Sequence, residues 1–69
     1  MPSVARVSEI SAMSETSFED AIKVGVERAA ATLRNLQSAW VKEQEVQLDP
    51  STGAVTAYKV NLMVTFVLE

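Results

Sequence analysis

The sequence predicts an α+β fold in the order β-α-β-β, a three-stranded antiparallel sheet wrapped around one helix. Three observations carry this reading. Phe18, Ile22, Gly25, Val26, Ala29, Leu33 and Leu36 fall within an arc of about 100° at helical pitch, the width of a core-facing stripe. Val60, Leu62, Val64, Phe66 and Leu68 alternate with Asn61, Met63, Thr65 and Val67 at period two, as a half-buried strand requires. Ahead of that run, Asp49-Pro50-Ser51-Thr52-Gly53 reads as a hairpin loop, with Pro50 pre-setting φ and Gly53 able to take a positive φ.

The first strand is read over Ser3 to Ala12, rich in β-branched residues and bounded by the polar run Met13 to Ser17. Val4 and Ile10 share one parity and Val7 has the other, which points to a bend or to burial on both faces in an assembly. Ser17 followed by Asp20 resembles a capping box, and Glu19 and Asp20 suit a helix N-terminus, so the helix is expected to start near Phe18. Gly25 costs about 1 kcal/mol in a helix relative to alanine. Its place inside the stripe predicts a close approach of helix to sheet. Val24 and Ala31 form a small apolar patch on the helix's expected wet face.

The helical pattern is expected to give way to an extended one within Ser38-Ala39-Trp40-Val41-Lys42-Glu43-Gln44, with Trp40 at the junction. From there to Leu48 the period is two, giving a second strand. The third strand, from about Ala54 to Leu68, would extend roughly 45–50 Å at about 3.3 Å per residue. A strand that long must bend around the helix or reach into neighbours. Its second face, Lys59, Asn61, Met63, Thr65 and Val67, suits a surface packed against other subunits.

Composition narrows the function. A chain of 69 residues makes a single domain, 1–69, burying only about 60% of the surface its unfolded form exposes. Chains this small draw stability from disulfides, metals or oligomerisation. The sequence contains no Cys and no His, which leaves an obligate assembly as the expected route. The same absences exclude Ser-His-Asp and Cys-His nucleophilic chemistry, so a binding protein rather than an enzyme is expected. A net charge of −3 with no basic run gives a nucleic-acid backbone no electrostatic footprint. No apolar stretch approaches the roughly 20 residues of a membrane span, and no signal-peptide pattern is present; a cytoplasmic protein is expected.

Trp40, the only tryptophan, offers a rigid π surface with one N–H donor, suited either to stacking on a flat ring or to a subunit contact. Lys59 is the only charge near the middle of the third strand. A hairpin that sets Leu48 opposite Ala54 would set Glu43 opposite Lys59, making an ion pair worth well under about 1 kcal/mol; the other use of Lys59 is as a donor to a ligand's carbonyl edge or phosphate. Glu43 and Glu45 share a strand face without the third ligand or nucleophile that metal or acid-base chemistry needs. Tyr58 reads as a packing residue.

The chain resembles the dodecins. The resemblance spans almost the whole length and rests on Val7-Ser8-Glu9-Ile10, on Ser17-Phe18-Glu19-Asp20-Ala21-Ile22, and on Arg28-Ala29 through Thr32-Leu33-Arg34-Asn35-Leu36. It continues through Ala39-Trp40-Val41 and Tyr58-Lys59-Val60-Asn61-Leu62 to Val64-Thr65-Phe66. The resemblance implies a β-α-β-β subunit, twelve copies of which form a hollow homododecamer that binds flavin where subunits meet. It implies that isoalloxazine rings stack between symmetry-related Trp40 side chains, to store or sequester flavin such as FMN or riboflavin. Lys59 stands where flavin-binding members often have a glutamine that hydrogen-bonds the ring edge, and lysine donates but does not accept. Glu45 and Gln47 match family positions near the ligand's chain and subunit contacts. Some members are also associated with coenzyme A. The alternative expectation is a structural shell with weak or lost flavin binding, in which Lys59 serves an ion pair.

Overall fold

Four elements follow the expected order in the computed structural model, which describes residues 3–68: β1 (Val4–Ser14), α1 (Phe18–Thr32), β2 (Leu36–Leu48) and β3 (Val55–Leu68). They form one antiparallel sheet in the order β1-β3-β2, with α1 on one face. β1 runs two residues beyond the expected Ala12, because Met13 and Ser14 pair with Lys59 and Tyr58.

The helix begins as the sequence required. Ser17 is the N-cap in extended backbone, and its Oγ accepts the Asp20 N–H at 2.9 Å. The capping box is only half formed, since the Asp20 carboxylate accepts from the Ser14 hydroxyl at 2.6 Å, and Ser14 Oγ in turn accepts the Thr16 N–H at 2.9 Å. This clamp pins the β1–α1 connection to the helix entry.

The helix ends at Thr32, earlier than the stripe through Leu36 implied. Leu33 is an extended C-cap and Asn35 takes a φ of 59°, a left-handed conformation that asparagine tolerates better than most residues. Asn35 is then locked in place: its carbonyl accepts the Val67 N–H at 3.1 Å, and its Nδ2 donates to the Val67 carbonyl at 3.4 Å. Leu36 therefore opens β2 opposite Phe66. Trp40 consequently lies four residues inside β2 and not at a helix–strand junction.

Val60 and Leu62 of β3 meet Ala21 of α1 at the centre of the core, with Ile10, Ala12, Phe18, Ile22 and Val26 packed around them. Val64 is also fully buried. Gly25 plays its expected part, since a Cβ there would lie 2.9 Å from Ala12 Cβ and 3.2 Å from Leu62 Cδ1. Phe18 meets Tyr58 edge to face, with ring centroids 5.2 Å apart.

The molecule is 54 Å long, whereas a 15-residue helix covers about 22 Å. The sheet therefore overhangs its helix.

Candidate functional site on the helix-free sheet face

Directly paired residues in an antiparallel sheet share a face. Val60 and Leu62 point to the helix, so Lys59, Asn61, Met63 and Thr65 point away from it, together with their partners. The resulting surface reads in rows across β1, β3 and β2: Glu9–Met63–Trp40, Ser11–Asn61–Glu43, and Met13–Lys59–Glu45. Gln47, opposite Ala57, continues it toward the hairpin.

Trp40, Lys59, Glu45 and Gln47 thus share one face, as a site built from them needs. They do not form one cluster within the chain. Trp40 lies opposite Met63, four strand residues or about 13 Å from the row of Lys59. Trp40 is 51% exposed. A large indole left half in water on a sheet surface is a platform open to a ligand or to a second subunit.

The expected pairing of Glu43 with Lys59 is not found. Leu48 sits opposite Val55, not Ala54, because the loop closes one residue later, with the Asp49 N–H donating to the Ala54 carbonyl and the Gly53 N–H to the Asp49 carbonyl, both at 2.8 Å. A bulge then places Thr56 as an extra residue on β3, its hydroxyl donating to the Gln47 carbonyl at 3.2 Å. The two displacements add to two residues, so facing is preserved and Glu45 replaces Glu43 as the partner of Lys59, with Nζ 3.4 Å from Glu45 Oε1.

Among the described residues, each of the carboxylates Glu9, Glu43 and Glu45 on this face has a donor. Asn61 Nδ2 donates to Glu43 Oε1 at 3.0 Å, and Lys42 Nζ lies 3.5 Å from Glu9 Oε1. Lys42 is the extra residue of a second bulge in β2, between Val41 and Glu43. The pairs are solvent-screened and each contributes well under about 1 kcal/mol. Asn61 and the Glu9–Lys42 pair were not singled out from sequence. The shared parity of Lys59 and Asn61 signals the first, while the second depends on a bulge that no local pattern reveals.

Fold and surface together define the class, a small α+β subunit that presents a helix-free sheet face carrying an aromatic platform. The chain belongs to the dodecin family, whose model matches residues 4–69, a family of small flavin-binding proteins that assemble as homododecamers. Among solved structures it is similar to an arginine-to-alanine variant of the dodecin of Thermus thermophilus, at 35% identity and a TM-score of 0.88, covering 99% of this chain and 98% of that one. It is similar to the dodecin of Streptomyces davaonensis at 32% identity and a TM-score of 0.89, covering 100% and 98%. It is also similar to the calcium dodecin of Mycobacterium tuberculosis, described as a calcium-chelating immunodominant antigen with a novel calcium-binding site, at 34% identity and a TM-score of 0.81, covering 97% and 93%. No curated protein matches the chain. Among the described residues, no group of three or more His, Cys, Asp or Glu is placed to hold a metal ion, and no helix is long and apolar enough to cross a membrane.

Proposed function

We propose that this protein binds and stores flavin, riboflavin or FMN, between subunits of a homododecamer in the cytoplasm. Trp40 is the stacking surface. The observation that carries the reading is its position, half exposed on the face of the sheet that α1 leaves bare. Indole is electron-rich and isoalloxazine electron-poor, so a sandwich of the two is favourable and places the ring where its excited state is quenched. A second copy of the same face supplies the other side of the sandwich.

Lys59 is the donor offered to the ring's polar edge or to a ligand phosphate, and Glu45 and Gln47 border the ligand's chain. Trp40 and Lys59 lie about 13 Å apart along the sheet, so Lys59 meets the edge or phosphate of a ligand stacked on the Trp40 of its own copy or of a neighbouring one. The Lys59–Glu45 pair leaves the lysine side chain 32% exposed, so its ammonium can turn toward a ligand with little loss. The role is binding, not turnover.

The absorption spectrum of the protein purified with and without added riboflavin or FMN tests this. Bound flavin remaining with the protein through gel filtration is the expected result. Colourless protein that takes up neither compound would leave a shell in which Lys59 serves only its ion pair.

A further inference from the structure

We propose that Lys42 and Glu9 together form the hydrogen-bonding edge of the ligand site at Trp40, the lysine donating to a carbonyl of the flavin ring and the carboxylate accepting the N–H beside it. The inference rests on the flavin reading and deepens it, assigning the polar contacts of the ring itself to a pair that the reading leaves out.

Position carries the argument first. Lys42 is the extra residue of the β2 bulge between Val41 and Glu43, two residues or about 7 Å along the strand from Trp40. Glu9 lies in the Trp40 row itself, opposite Met63 on β1. β3 runs between β1 and β2, so the backbones that carry the two residues stand about 9–10 Å apart. Lys42 Nζ nevertheless lies 3.5 Å from Glu9 Oε1. The lysine stem therefore crosses β3 on the helix-free face, and its ammonium ends against the row of the stacking surface. The Asn61–Glu43 pair lies one row nearer to Lys59, and the Lys59–Glu45 row is about 13 Å away.

The chemistry of the pair matches that of the ring. The pyrimidine edge of isoalloxazine runs carbonyl, N–H, carbonyl, and asks for a donor and an acceptor side by side. Lysine has only donors and a carboxylate only acceptors, so two such groups 3.5 Å apart supply both. Neither is used up by the other. The ammonium has three N–H groups and the carboxylate a second oxygen, and the side chains are 51% and 44% exposed. An ion pair so open to water adds little to stability, and turning its heads toward a ligand costs correspondingly little. A ring system larger than indole is not covered by Trp40 alone, and its edge falls to the neighbouring groups on the face.

Riboflavin and its N3-methyl analogue, in which the N–H is replaced by N–CH3, test the inference when titrated against wild type and Glu9→Ala with assembly size measured alongside. Wild type is expected to bind riboflavin about tenfold or more tighter than the analogue, the scale of a hydrogen bond to a charged group. Glu9→Ala should lose most of that discrimination, because the acceptor is gone. Discrimination kept in full by Glu9→Ala, or kept there and lost on Glu45→Ala, would overturn the proposal. If Glu9→Ala does not assemble, Lys42→Met reads the donor half. Hydrogen bonding lowers the Raman carbonyl stretching band of bound riboflavin, so the band should rise in Lys42→Met; an unmoved band contradicts the proposal. Wild type that takes up neither compound removes the flavin reading itself, whereas uptake of both without discrimination removes this inference alone.

Discussion

Replacing Gly25 by alanine sets two known effects against each other. Alanine in a helix interior is favoured over glycine by about 1 kcal/mol, which acting alone would stabilise the protein. Against that, the new methyl would stand 2.9 Å from Ala12 Cβ and 3.2 Å from Leu62 Cδ1. Leu62 can move its terminal methyl a few tenths of an ångström, but Ala12 Cβ is fixed to the backbone of β1 and moves only if the strand does. Overpacking of this kind costs about 1–3 kcal/mol, so the net result is a loss of up to about 2 kcal/mol. Denaturant titration of wild type and Gly25→Ala at one protein concentration measures it, the concentration being held because assembly makes stability concentration-dependent. The double variant Gly25→Ala/Ala12→Gly removes the obstructing methyl and is expected to recover about 1 kcal/mol relative to the sum of the single changes. Stabilisation by Gly25→Ala alone would show that helix and sheet have slack between them and would refute the close-packing argument.

Other outcomes follow from the same geometry. Leu62→Ala, at the centre of the core, is expected to cost about 2–5 kcal/mol in the same titration. Asn35→Ala should cost about 1–2 kcal/mol because alanine resists a φ of 59°, while Asn35→Gly should recover much of that loss. Glu45→Gln removes the carboxylate that faces Lys59 at 3.4 Å; it should raise affinity for FMN over riboflavin several-fold in fluorescence titrations at low salt. That preference should fade at 1 M salt, where screening acts within about 3 Å. An unchanged ratio would remove Lys59 from the phosphate's surroundings.

The element order, the helix start at Phe18 and the close-approach role of Gly25 were legible because each rests on local chemistry: a cap, a period, a missing side chain. The helix end was not. Leu33 and Leu36 keep helical spacing, and the helix stops at Thr32 where Leu33 turns extended and Asn35 takes a left-handed conformation held by its hydrogen bonds to Val67, 32 residues away. The hairpin register failed for a similar reason. Asp49-Pro50-Ser51-Thr52-Gly53 announces a loop, yet the Thr56 bulge is settled by its hydroxyl on Gln47. Because the loop and the bulge each shift the pairing by one residue, the parity prediction survived while the predicted partner of Lys59 changed from Glu43 to Glu45. The site was thus readable as a face and not as a set of contacts. Ala21, absent from the predicted stripe, is fully buried against Val60 and Leu62.

The most direct test of the account is titration of wild type and Trp40→Ala with riboflavin, following flavin fluorescence while assembly size is measured in parallel. The account predicts strong quenching by wild type and none by Trp40→Ala at unchanged size. Equal quenching by both proteins, or a variant that falls to monomers, would contradict the assignment of Trp40 as the flavin's stacking surface.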